Sequence, residues 1–147
     1  MTSTSDDPFD LARFVEAQAD DYPRALQELR AGRKRSHWMW YVLPQLRGLG
    51  SSSRAAYYGI GSVREAEAYL AHPVLGPRLR ECVAAMNALA GSDAVQVLGP
   101  VDAAKFRSCL TLFRFVAPED RGFSDALNKF YAGIDDERTL ALLAASP

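Results

Sequence analysis

A chain of 147 residues with 48% hydrophobic and 24% charged residues has the size and composition of one globular domain with its own core, which excludes a disordered chain. A net charge of -1 sets up no overall field to recruit nucleic acid, and no apolar run reaches the length of a membrane span. Two cysteines, Cys82 and Cys109, and two histidines without ligand spacing argue against a metal centre and for buried thiols in a reducing cytoplasm.

In chain order the elements read as helices. Residues 1–6 form a polar tail with no apolar stretch of the kind a signal peptide carries. Asp7-Pro8 then starts a helix with Phe9, Leu11, Phe14 and Val15 near helical spacing, running to about Ala19. Pro23 opens a second helix, stopped by Gly32. Ser36 to Tyr41 can be helical but not past Pro44, and Gly48-Leu49-Gly50 with three serines is a loop. A helix starts near Ser52 and ends at Gly59. Ser62-Val63-Arg64-Glu65 is a capping box for a helix through Ala71, broken by His72-Pro73. Leu75, Leu79, Cys82, Val83, Met86 and Leu89 mark the next apolar face, ending at Gly91. A short helix follows to Gly99-Pro100. Asp102 caps a helix from Ala103 to about Val116, and two more run over Phe123 to Ala132 and Asp136 to Ala145. The expectation is an all-α, multi-helical single domain over residues 7–147, without repeats or a sheet of consequence.

One stretch concentrates the chemistry: Arg33-Lys34-Arg35-Ser36-His37-Trp38-Met39-Trp40, continuing to Pro44-Gln45-Leu46. Both tryptophans lie here. Residues 1–28 hold seven acids against two bases, whereas residues 29–60 hold six bases and no acid. Such a segment suits an anionic partner, or pairs with the acidic N-terminus inside the fold. Arg33 and Lys34 can hold negative charge, Trp38 or Trp40 can stack, and Gln45 offers an uncharged donor and acceptor. His37 titrates near neutral pH and, with Asp10, is the candidate acid or base. The plainer alternative makes the aromatics core and the cations a solvated helix end.

The same residues carry a resemblance. Together with Asp7-Pro8-Phe9-Asp10-Leu11, Gly48-Leu49-Gly50, Tyr58-Gly59-Ile60, His72-Pro73 and Thr111-Leu112-Phe113, the Gly32 to Trp40 string resembles a bacterial family of unknown function whose members are sometimes mislabelled calpastatin. The resemblance spans nearly the whole chain and implies a compact helical fold, with no activity or catalytic residues attached. Glu65-Ala66, Ala126-Leu127-Asn128-Lys129-Phe130 and Leu140 to Leu143 resemble, more distantly, pieces of the NAD- and ADP-ribose-associated superfamily, which implies N-glycosidic chemistry. That superfamily's catalytic carboxylate has no match here.

A second cluster comes from spacing. Asp102, Lys105, Ser108 and Thr111 recur every three residues and form a polar stripe on one helix. The stripe reads either as a solvated face or as the wall of a cleft opposite His37 and Trp40, with Asp10 and Gln18 of the first helix along the same edge. The expected ligand set is therefore Arg33, Lys34, Trp38, Trp40, Gln45, Lys105, Ser108, Thr111 and Gln18, for a small anionic, nucleotide-like ligand, with no metal and no cofactor. The alternative is a non-enzymatic protein- or peptide-interaction module using the same groove. Overall charge argues against nucleic acid.

Overall fold

The computed structural model describes residues 7–145, so the tail expected over residues 1–6 and the last two residues of the expected domain lie outside the described residues. Among the described residues there are nine helices: α1 Ala12–Ala31, α2 Met39–Val42, α3 Ser53–Tyr58, α4 Val63–Ala71, α5 Leu75–Asn87, α6 Ala94–Leu98, α7 Pro100–Val116, α8 Arg121–Tyr131 and α9 Glu137–Ala145. A lone parallel bridge between Leu46 and Ile60 is the only extended pairing among them. The fold is all-α.

The helices pack as α1 on α5, α5 on α8 and α8 on α7, with α4 lying against both α5 and α7. A line of aromatic contacts threads these layers. Phe14 meets the edge of Tyr69 at 5.1 Å, Tyr69 tilts against Phe113 at 5.6 Å, and Phe113 stacks on Phe123 at 5.7 Å. Each ring comes from a different helix and all four are buried, so α1, α4, α7 and α8 share one core.

Pro23 does not separate two helices; α1 runs unbroken through it. Its buried face (Phe14, Gln18, Tyr22, Ala25, Leu26, Leu29) keeps one register across the proline. Pro23 and Ala19 both face solvent, so the carbonyl that loses its partner is free to be hydrated. The helix does not start at Asp7-Pro8 either: it begins at Ala12, with Leu11 in the cap position and no side-chain cap bond. Asp7 instead holds the turn ahead of it, accepting from the backbone N–H groups of Leu11 at 2.7 Å and Ala12 at 2.9 Å. Asp102 is not an N-cap. Proline at the first position starts α7 after Gly99, and Asp102 sits in the first turn instead.

Ser52, Ser62, Asp93 and Asp136 cap the helices that follow them, whereas α2 starts at Met39 rather than Ser36 and α8 at Arg121 rather than Phe123, neither with a side-chain cap. Ser62 Oγ accepts from the Glu65 N–H at 3.1 Å, while Glu65 reaches back to the Gly61 N–H at 3.0 Å. His72, read as part of a break, also begins the next helix, because its Nδ1 accepts from the N–H groups of Val74 and Leu75. The close approach of α4 and α5 demands Gly76, where a Cβ would lie 2.1 Å from the Leu70 carbonyl oxygen.

Candidate functional site around Trp40

Two neighbouring environments make up the basic, aromatic stretch, and the first is organised by a residue that spacing did not single out. Glu28 lies on the buried face of α1. Its Oε1 accepts from the backbone N–H of Arg35 at 2.8 Å, that of Ser36 at 3.0 Å and the Trp38 indole Nε1–H at 2.9 Å. Its Oε2 accepts from the Ser36 hydroxyl at 2.7 Å. Burial alone would raise the pKa of this carboxyl, but the hydrogen bonds from Ser36, Arg35 and Trp38 prevail and hold it at about 2. Trp38 is only 1% exposed. Lys34 lies 5.1 Å from the centre of its ring and closes on Asp102 of α7 at 2.8 Å. Lys34 and Trp38 are thus structural here, bonded inside the protein.

The second environment starts two residues on. Trp40 is half-buried, and its Nε1–H is enclosed with no hydrogen-bond partner among the described residues. Lys105 Nζ of α7 lies 4.6 Å from its ring centre, and the Arg54 guanidinium of α3 lies 5.1 Å away. Gln45, Tyr58, Gly59 and Leu43 complete a small cavity beside them, of about 10 Å³. That is room for one water-sized group, far short of the several hundred Å³ that enclose a whole ligand. What the corner can hold is a single polar group at the end of something larger.

The walls are firmly placed. The Gly59 carbonyl accepts from Arg13 at 3.2 Å and Arg47 at 3.1 Å, and Arg13 also pairs with Glu65 at 2.6 Å, buried on both sides. Tyr41 donates to Asp21 at 2.5 Å, and Tyr58 leans on Tyr41 with ring centres 5.2 Å apart. Desolvation, then Asp21, keeps the Tyr41 phenol from ionising, and desolvation, then Tyr57, does the same for Tyr58. Gln45 is fixed through its backbone carbonyl, which accepts from Ile60 at 2.9 Å.

The anticipated residues therefore separate. The stretch and the stripe meet at Lys34–Asp102 and at Trp40–Lys105, and Gln45 joins them at the corner. Ser108 and Thr111 turn inward instead. Ser108 Oγ donates to the Ala104 carbonyl, while Thr111 Oγ1 donates to that of Arg107 and accepts from the Asp136 N–H at 2.9 Å, pinning α9 to α7. Gln18 is 1% exposed, donating to the Tyr41 carbonyl at 2.7 Å and to the Tyr69 hydroxyl at 3.2 Å. Arg33 and His37 are exposed on the same segment, and neither lines the cavity. Asp10 is exposed with φ at 51°, ahead of α1. Among the described residues the ion pairs of the basic run do not go to the acidic N-terminus: Lys34 turns to Asp102 and Arg30 to Glu81. Arg33, Arg35 and Arg54 are exposed and form no ion pair among the described residues.

Residues 8–143 match the family model described as Protein of unknown function (DUF1810). The chain belongs to this family. A similar solved structure is that of the conserved hypothetical protein Rv1873 from Mycobacterium tuberculosis. It is 53% identical with a TM-score of 0.92, over 93% of this chain and 98% of that one. No protein of curated function matches the chain. No helix among the described residues is long and apolar enough to cross a membrane.

Sequence reasoning missed Glu28, Arg54 and Tyr58. For Glu28 a signal exists: with Ala25 and Leu29 it falls on the apolar side of α1, and a carboxylate there needs partners. Arg54 and Tyr58 carry no such mark, because only the fold of the loop before α3 brings them to Trp40.

Proposed function

We propose that this protein binds a small anionic, nucleotide-like ligand at the Trp40 corner, through one acidic group of that ligand. The supporting observation is the Trp40 indole N–H, enclosed without a hydrogen-bond partner among the described residues, on a ring that two cations, Lys105 and Arg54, both approach. A phosphate or carboxylate oxygen there would accept from the indole and meet both positive charges, with Gln45 as a further donor. The small cavity restricts what enters to that group. The remainder of the ligand lies outside the cavity. Binding is the core of this reading. Turnover of an N-glycosidic, ADP-ribosyl-type substrate by His37 and Asp10 is its extension, and a cytoplasmic location fits the two free thiols.

The test is tryptophan fluorescence in wild type and Trp38→Phe, where Trp40 reports alone, against phosphate, AMP, ADP-ribose and NAD. A saturable change that Lys105→Met and Arg54→Met weaken by about tenfold each supports binding. An unchanged signal across the panel overturns it. Nicotinamide release from NAD, lost in His37→Ala, tests the extension.

The shallowness of the corner favours a second reading, an interaction module for an acidic peptide. Tyr57 is 55% exposed at the end of α3, next to Tyr58. Binding of an acidic peptide that Tyr57→Ala abolishes, with no response to the small anions, would select it.

A further inference from the structure

The chain between Arg47 and Tyr58 leaves the body of the protein and returns to it at one point. There Leu46 and Ile60 form the parallel bridge. The Arg47 N–H donates to the Ile60 carbonyl at 2.8 Å, and the Ile60 N–H to that of Gln45 at 2.9 Å. Between these ends no residue is buried, and only Leu49, Ala55 and Tyr58 are partly so. A surface loop with joined ends and little buried area can leave its seat without disturbing the rest of the fold. Inside the loop, α3 has six residues and no buried side chain, and is too short a helix to persist alone. The bonds that seat it gather at its C-terminal end. Arg13 Nε donates to the Tyr57 carbonyl at 2.8 Å, Arg47 Nε to that of Ala56 at 3.1 Å, and the Gly59 carbonyl accepts from both arginines. Arg13 is itself buried against Glu65, so this end is fixed. At the other end Ser52 accepts from the Ala55 N–H, a bond within the helix that would travel with it. Among the described residues, that end is tied down by the half-buried Leu49 and one exposed bond, from Arg138 of α9 to the Leu49 carbonyl at 3.1 Å.

We infer that residues 48–55 form a lid over the Trp40 corner, hinged at residues 56–59 and latched by Arg138. The lid carries Arg54, 5.1 Å from the Trp40 ring centre, and Ala55, which lines the cavity with Trp40 and Gln45. Swinging it outward removes one wall and uncovers the enclosed Trp40 indole N–H. A cavity of about 10 Å³ then opens to a larger group, and reclosure brings the Arg54 charge back over it. The Tyr58 ring, against Phe14 and Tyr41, stays behind as the fixed wall. The lid's part in admitting an anion rests on the reading of the Trp40 corner given above; its motion does not.

Hydrogen exchange in the ¹⁵N-labelled, unliganded full chain tests the lid. The Trp40 indole N–H and the backbone amides of Ala55 and Ala56 should exchange through one opening, so their protection factors agree within about threefold. All three should lie at least about a hundredfold below the α7 amides and the Trp38 indole, which bonds Glu28 inside the core. Arg138→Met removes the latch at an exposed residue. It should lower the three by a common factor of about threefold and leave α4 and α7 unchanged. Fast α3 amides beside a Trp40 indole as protected as that of Trp38 would mean only fraying of a short helix, and would overturn the lid. So would α3 amides as slow as those of α7, or a Trp40 indole indifferent to Arg138→Met. Inorganic phosphate at constant ionic strength separates the two readings. If it slows none of the three, the anion reading of the corner fails, while the common opening seen without it still establishes the lid.

Discussion

Trp38 and Trp40 are two residues apart, on the same turn of chain, yet they face opposite situations. Trp38 gives its indole N–H to Glu28 and is sealed into the core. Trp40 keeps its N–H enclosed and unmatched, with two cations near its ring. Both lie close to a cation, so neither aromatic character nor nearby positive charge tells them apart. What differs is the fate of the polar atom. A satisfied donor belongs to the scaffold, and an unsatisfied one in a rigid wall marks where something else can bind.

The largest effect should come from removing the hub of the sealed side. Glu28→Gln leaves an amide facing donors that a carboxylate had accepted from, and should cost about 3 kcal/mol in denaturant unfolding. The pH dependence has a definite sign. The folded carboxyl titrates at about 2, below its ordinary 4.5, so its contribution is complete above about pH 4.5 and disappears as pH falls towards 2. Wild type should therefore lose stability over that window, and Glu28→Gln should lose distinctly less. Identical acid limbs would show that Glu28 is not the hub.

Next in size is the contrast itself. Trp38→Phe removes one bond to a buried carboxylate and should cost about 2 kcal/mol. Trp40→Phe removes an N–H without a hydrogen-bond partner among the described residues and should stay within about 0.5 kcal/mol of wild type, or stabilise. Equal losses from the two substitutions would erase the distinction.

How much of this was legible in the sequence follows the same division. Helix existence was readable because periodicity and caps are local: Ser62 and Asp136 each bond a backbone N–H three residues on. Pro23 misled because its cost depends on whether Ala19 is hydrated, which is a property of the packed molecule. The cations and aromatics of the central stretch were visible, but their partners were not. Lys34 finds Asp102 across 68 positions of chain, and spacing holds no trace of that pairing. Period three keeps Ser108 and Thr111 on one side of α7, which in sequence reads as a solvated face or as the wall of a cleft. That side is packed, and both hydroxyls bond back to helix carbonyls.

The Lys34–Asp102 pair sets a smaller test, since it ties the sealed side to α7. Lys34 is mostly buried and Asp102 partly so, at 8% and 18% side-chain exposure. A double-mutant cycle with Lys34→Met and Asp102→Asn should return a coupling of about 1 kcal/mol, above a typical exposed pair. A coupling indistinguishable from zero would mean that α7 is held by apolar packing alone.

The smallest stability effect, and the most informative, belongs to the open side. Lys105 and Arg54 both crowd Trp40, so each gains a cation–π contact and suffers repulsion from the other. Lys105 has some relief from Asp102, at 3.9 Å, while Arg54 has no ion pair among the described residues. With attraction and repulsion opposed, Arg54→Met should change stability by less than about 0.5 kcal/mol in chloride. Phosphate should separate the two proteins. It raises wild-type Tm by binding the folded state, whereas Arg54→Met should show only the general salting-in-place that every protein gains from an excluded anion. Comparing the two Tm increments at equal ionic strength removes that shared contribution. If they coincide, the cations around Trp40 are fully served by its ring, and the open side is as structural as the sealed one.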